Sequence, residues 1–433
     1  MSRRFAIAAL AATGLTLATA GAARAQASAG DEGTYFIKGG TVVNPGGQRL
    51  ANTNILVRNN RIVEIGPSAS AADAKVIDAT GKFIYPGMID ANTGLGLSEI
   101  GSVQTMSFRS ELGDFNPHIR ALVGLNVESE LLGVTRMNGV TTVIVTPAGG
   151  AISGQAAMIN TAGWTWEDLS VVKSAGLVFT LPGSGGRGGR GGGGGGRGRG
   201  GASTNPNLAA DFQQFMTESK AYGEARDAGS SKVDLIYEAM RPVFRKEVPA
   251  LINANSDTDI RNAIAFGERW GLKVVIVGGS DAWRVRKLLA EKKVPVILGA
   301  IQAAPTDTVP YDEVYAQPGL LNDAGVKFAF STGAGSNSRH VAFHAALAMA
   351  YGLPADAALK ALTIWPAEIF GADKEIGSVE KGKMANFFIT TGDPMDLRTQ
   401  VVGVFVKGRQ LPPDDRHTRL YLKYKARPLP IKP

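Results

Sequence analysis

Residues 85–94 read YPGMIDANTG. An apolar run from Lys82 to Ile89 breaks at Pro86-Gly87, recovers, and delivers Asp90, Asn92 and Gly94 to the end of an expected strand. A carboxylate at a strand end can act as a general base when a substrate sits beside it. Other residues with chemical potential lie further along the chain. His340 and His344 are four apart in a helical stretch and so share a face, as a metal pair would. No carboxylate lies between them, which removes the zinc-protease pattern, and the surrounding face is rich in Ala, Met and Phe. They are expected to be ordinary helix residues. Ser153, Ser280 and Ser331 are candidate nucleophiles, but a serine needs a base and no histidine is tied to any of them. Ser280-Asp281 reads more simply as a helix cap, as do Asp257 and Asp259 after NANS.

The elements that must position these residues follow a clear rhythm. Residues 34–84 form short β-branched runs (TYFIKGGTVVNPGG, TNILVRNNRIVEIGPS, AKVIDATGKFIY) punctuated by Asn-Asn and Gly. Residues 376–410 do the same with IGSVEKGKMANFFITTGD and VVGVFVKGR. Two β segments at opposite ends of a chain can pair into one composite β-sandwich. The intervening residues 85–375 alternate strand and helix. VTTVIVTP, VPALINANS, LKVVIVGGS, VPVILGA and VKFAFSTG read as strands. Helices are predicted from near Asp257, over DAWRVRKLLAEKK, around 311–324, from Arg339 to Tyr351 and from Ala355 to Phe370. About eight such units imply an α/β chain with a distorted (β/α)8 TIM barrel.

Composition bounds the rest. With 44% apolar residues the chain can bury a full core. It has no cysteine, hence neither disulfide nor thiol nucleophile. Residues 1–25 carry Arg3-Arg4, an apolar stretch and Ala23-Arg24-Ala25, the pattern of a signal peptide cut before Gln26, which predicts a periplasmic or secreted protein with no membrane span after cleavage. The formal charge is +8, but Arg3, Arg4 and Arg24 of the leader and Arg187, Arg190, Arg197 and Arg199 of one glycine tract account for all but one unit of it. The basic balance is therefore local and predicts no nucleic-acid partner. The tract itself, 183–203, is a Gly/Arg-rich insertion with almost no apolar residue and no aromatic one, expected to be disordered.

The flanking β segments, YPGMID at their junction, NGVTTVIVTP, SGQAA, KVPVILGA and the closing LTIWPAEIFGADKEIGSVEKGKMANFFITTGDP together resemble the amidohydrolase superfamily over most of residues 34–410. The resemblance is nearest to its imidazolonepropionase-like and prolidase-like exported members. It implies metal-assisted hydrolysis of C–N bonds, in which one or two divalent ions activate water. It also implies ligands at the strand ends: a His-x-His pair on the first strand, histidines on the fifth and sixth, and an aspartate on the eighth. In this chain those positions fall on Asn92 and Gly94, on Asn253 and Asn255, on Gly278, and on Gly333. Asn386 stands where the closing β motif commonly has an aspartate, and Asp90 stands where the resemblance implies a structural aspartate that bonds barrel groups next to the site. The whole chain has four histidines, His118, His340, His344 and His417, and none ends a strand-like run. Carboxamides are weak neutral donors and glycine has no side chain, so a zinc site is not expected there. Two functions follow as expectations. One is a metal-free binding protein, with a small ligand in the barrel mouth or an active relative as hetero-oligomer partner. The other is a C–N hydrolase with a non-standard site, using Asp90 or a harder metal held by Asn oxygens.

Overall fold

The computed structural model describes residues 33–69, 72–100, 103–184, 205–230, 232–302, 310–412 and 414–428. The expected signal peptide and all of the 183–203 insertion beyond Ser184 lie outside the described residues.

Strands from both ends of the chain make one hydrogen-bonded sheet. It comprises β1 (Tyr35–Val43), β2 (Arg49–Arg58), β3 (Arg61–Gly66), β4 (Lys75–Asp78) and β5 (Phe83–Pro86), joined by β14 (Phe387–Thr390), β15 (Val401–Val406) and β16 (Arg409–Leu411). The order is β16-β15-β14-β5-β1-β2-β3, with β4 beside β1. The turn between β2 and β3 uses Asn59 and Asn60 at φ 48° and 69°, the pair of left-handed residues that a tight hairpin demands. Tyr35, Ile37, Ile55, Phe387 and Phe405 bury against one another, so the sheet closes over its own apolar core.

The second sheet is an eight-stranded, nearly closed barrel: β6 (Met88–Thr93), β7 (Val140–Val145), β8 (Ile152–Asn160), β9 (Ser170–Phe179), β10 (Ala250–Ala254), β11 (Val274–Gly278), β12 (Val296–Leu298) and β13 (Phe328–Phe330). Closure between the last and first strands is made by the Gly333 amide, which donates to the Asn92 carbonyl at 3.0 Å. Ile89, Ala91, Ile144, Leu251, Val275, Ile297 and Ala329 fill the interior. Their alternate neighbours, such as Val143, Ile252 and Ile276, pack outward with helix residues including Ile260 and Ala263.

The barrel departs from the regular pattern at its third strand. β8 runs antiparallel to both β7 and β9. The first crossover, from β6 to β7, keeps a helix (Glu130–Arg136), but a hairpin replaces the second, and only the four-residue Trp166–Leu169 helix precedes β9. Because β8 is buried along almost its whole length, its sequence carries no alternation from which direction could be read.

The predicted helices are present with shifted ends. Asp257–Trp270 starts as expected, but the cap is Ser256, whose hydroxyl takes the Asp259 amide while the Asp259 carboxylate takes the Ser256 amide. Asp257 instead pairs with Arg261. The helix expected over DAWRVRKLLAEKK is confined to Arg286–Lys292, so Ser280-Asp281 does not cap it. The stretch from Arg339 starts as a 3-10 turn, Gly335–His340, before the helix Val341–Ala350. The last helix is two, Ala355–Leu362 and Ile364–Ile369, broken at Thr363. Its hydroxyl donates to the Leu359 carbonyl at 2.6 Å, and Pro366, two residues into the second helix, has no amide to continue the ladder.

Sheet and barrel meet at the N-terminal ends of the barrel strands. Gly87 is the pivot: a Cβ there would overlap the Thr141 side chain. Asn386, buried at the contact, donates to Asn160 Oδ1 at 2.7 Å and to Thr142 Oγ1 at 3.2 Å, and accepts from the Lys407 amide at 2.7 Å. The position where the resemblance implies an aspartate is thus a three-bond carboxamide brace between the two sheets.

Candidate functional site at the barrel mouth

Enzymes on this architecture work at the C-terminal ends of the strands. The six positions singled out there come from the ends of β6, β10, β11 and β13. A register shift between Asp90 and Thr93 in the β6–β7 pairing lets the chain re-aim its side chains as it leaves the barrel.

Asp90 is fully buried, at 0% exposure. Ile89 and Ala91 join the interior cluster, so the Asp90 side chain between them turns the other way. Its Oδ1 accepts the Thr332 amide at 3.0 Å and its Oδ2 the Thr332 hydroxyl at 2.5 Å. Burial lifts its pKa to about 6 against the opposing effect of hydrogen bonds from Thr332 and Ser338. It is thus a clamp between the first and last strands.

The remaining positions are bonded to protein groups. Asn92 Oδ1 accepts the Thr146 hydroxyl at 2.6 Å. Asn253 donates to Thr180 Oγ1 at 2.9 Å. Asn255 lies beyond the strand, and its Oδ1 accepts the Ser280 hydroxyl at 3.1 Å. That bond, with the helix starting only at Arg286, is why Ser280 is not a cap. Gly278 has φ 102°, and a Cβ on it would collide with Asn255 Oδ1, so no histidine fits unless Asn255 moves. Gly333, at φ 71°, contributes only its peptide group.

A residue with no sequence signal lies against the β6 and β13 members of this set. Arg109 arrives from the long segment between β6 and β7. Its Nε donates to the Thr146 carbonyl at 3.0 Å, Nη2 to Thr146 Oγ1 at 3.1 Å, and Nη1 to the Gly333 carbonyl at 3.4 Å. Its Cδ lies 3.3 Å from where a Gly94 side chain would begin. The guanidinium therefore spans the tops of β6, β7 and β13. Burial pulls its pKa down, while the Asp90 charge pushes it back up. An arginine keeps its proton in such a setting.

This donor set does not match a divalent ion. Of the six substituted positions, three are glycines. The other three are asparagines, whose oxygens are weak neutral donors, and two of those oxygens, on Asn92 and Asn255, already accept a hydroxyl. The one carboxylate faces away, and a fixed cation sits among them. Among the described residues, no three His, Cys, Asp or Glu side chains gather in a group able to hold a metal.

The other candidates do not join the mouth chemistry. His344 is buried with Nδ1 unpartnered, and burial lowers its pKa to about 4. His340 accepts from Arg339 Nε at 2.9 Å and stacks on Phe343. Ser331 donates to the Leu298 carbonyl at 2.7 Å, and the buried Ser153 hydroxyl has no partner. Neither serine has a histidine at its hydroxyl.

Comparison with known proteins fits this architecture. A model of the amidohydrolase family matches residues 83–411. The structure of an amidohydrolase from Thermotoga maritima MSB8 superposes with a TM-score of 0.76 at 28% identity, covering 87% of this chain and 99% of that one. A prolidase complexed with N-methylphosphonate-L-proline shares the fold, with a TM-score of 0.53 at 16% identity, over 87% of this chain and 99% of that one. Amidohydrolase tasK of Hapsidospora irregularis is 22% identical over 82% of this chain, which spans 39% of its length. Dihydropyrimidinase of Arabidopsis thaliana is 46% identical over 68 residues, 16% of this chain and 12% of that enzyme. The chain belongs to the amidohydrolase family.

Proposed function

We propose that this chain is a binding member of the amidohydrolase family whose metal site has been replaced by a protein-bonded mouth. The observation that carries the reading is Arg109, a fixed cation laid across the strand ends where the family resemblance implies metal ions. A guanidinium and a divalent ion cannot share that space without strong repulsion. With no activated water and Asp90 turned away, the chemistry left to the mouth is recognition by amide, hydroxyl and guanidinium donors. The protein is exported by its leader. It holds a small ligand in the mouth or pairs with an active relative.

The test is turnover of Xaa-Pro dipeptides and dihydropyrimidines, substrates suggested by the named relatives, with zinc, manganese or cobalt supplied. No hydrolysis above the uncatalysed rate is expected. Chelator-sensitive turnover would overturn the reading.

A second reading, a hydrolase with Asp90 as base, is favoured by one observation: its pKa of about 6 is near the range a general base needs. It requires Asp90 to turn out of its bonds with Thr332. Turnover that is lost in Asp90→Asn while the fold persists would establish it.

A further inference from the structure

Resting on the reading of the mouth as a binding site, we infer that Arg109 is the anchor for a small carboxylate ligand. The guanidinium has five N–H groups. Three are used, one each from Nε, Nη1 and Nη2. One N–H on each Nη remains, and Arg109 is a half-buried residue, not a fully enclosed one. Two such hydrogens on a rigid planar fork are the pattern that receives the two oxygens of a carboxylate.

The surroundings select the same class. The groups bonded beside Arg109 are a threonine hydroxyl, two peptide carbonyls and, through Thr146, the Asn92 carboxamide. All are neutral. The nearby charge is Asp90, whose two oxygens are turned to Thr332, so it neutralises Arg109 only at a distance. One cation among neutral dipoles, behind a partly exposed face, suits a monoanion. The arginine is also held at both ends, by β7 through Thr146 and by β13 through Gly333, so little rotamer entropy is lost when a ligand arrives. The cation that would exclude a metal thus supplies the recognition that takes its place.

The experiment is ligand-observed NMR and calorimetry on the full mature chain, using N-acetylglycine and benzoate, each against its neutral amide. Saturable binding of at least one carboxylate, at least about tenfold tighter than its amide, is expected, as a single forked ion pair provides. Arg109→Gln should abolish that preference. Arg109→Lys, which keeps the charge but loses the fork, should retain only part of it. Thermal unfolding of each variant checks that the fold is kept. Equal affinity for carboxylate and amide, binding unchanged in Arg109→Gln, or no binding of either probe would overturn the assignment. Metal analysis of the same sample separates the two claims. Carboxylate binding that survives Arg109→Gln and vanishes with chelator would overturn the metal-free reading together with this one. Binding lost in Arg109→Gln from a zinc-loaded chain would overturn that reading alone.

Discussion

Two aspartates, one half-buried and one fully buried, stand at opposite ends of the barrel and are handled in opposite ways. At the foot, Asp168 meets Lys407 Nζ at 2.6 Å and Arg409 Nη1 at 2.8 Å, both from the sheet. Burial alone would raise its pKa, but the hydrogen bonds from Lys407 and Arg409 outweigh it, and the pKa falls below the ordinary carboxylate value. At the mouth, Asp90 has only the neutral donors of Thr332 and its neighbours in direct contact, and burial wins. The foot is therefore a closed junction with its charges matched. The mouth holds an acid and a base, Asp90 and Arg109, that are not directly bonded to each other: Asp90 is buried on Thr332, and Arg109, partly exposed, keeps N–H groups without a protein partner. Complete pairing marks the structural cluster, and incomplete pairing marks the candidate site.

That contrast can be broken most severely at the foot. Asp168→Ala removes the acid that Lys407 and the buried Arg409 share and should cost about 3 kcal/mol of stability, read by urea unfolding. A cost under about 1 kcal/mol would mean the junction is held by apolar contact and not by charge. Asn386→Ala strips the Lys407 amide of its acceptor and Asn160 of a donor, for an expected loss of about 2 kcal/mol in the same assay.

The pH response sharpens the comparison, because the two acids pull in opposite directions. Asp168 has a lowered folded pKa, so its contribution is present above the unfolded value of about 3.9 and is lost as pH falls below it. Asp90 has a raised one, so its contribution is full below about 3.9 and is lost as pH rises toward about 6. Unfolding free energies measured from pH 4 to 7 should carry a decline of about 2 kcal/mol that is missing from Asp90→Asn. An identical profile in that variant would show that Asp90 does not bear the shift. At the small end, Ser280→Ala removes one exposed hydroxyl from Asn255 and should change stability by no more than about 0.5 kcal/mol.

Much of the foot was legible in the sequence and little of the mouth was. The β segments at each end, YPGMID at their join and the closing IGSVEKGKMANFF are local patterns whose geometry follows from turn chemistry and alternation. Even Gly87 explains itself, since Thr141 occupies its missing Cβ. The helix break at Thr363 was not visible, because its hydroxyl bond to Leu359 interrupts an otherwise continuous amphipathic run. The reversal of β8 was hidden by burial along nearly all of that strand. At the mouth, the sequence shows which side chains are missing relative to the family pattern, but not what fills the space. Arg109 sits in MSFRSE, within a segment lacking periodicity, and its role depends on Thr146 and Gly333, which are 37 and 224 residues away. Thr332 is likewise an unremarked neighbour of Gly333 until the fold sets it against Asp90, 242 residues distant.

The central claim is that a guanidinium, and not a metal ion, is the cation of this barrel mouth. The most direct measurement is metal content per chain by plasma mass spectrometry, on protein purified without added metal or chelator. The account predicts less than about 0.1 divalent ion per chain, since the six strand-end positions offer no anionic or imidazole donor. A value near one or two would contradict it and return the chain to metal-assisted hydrolysis.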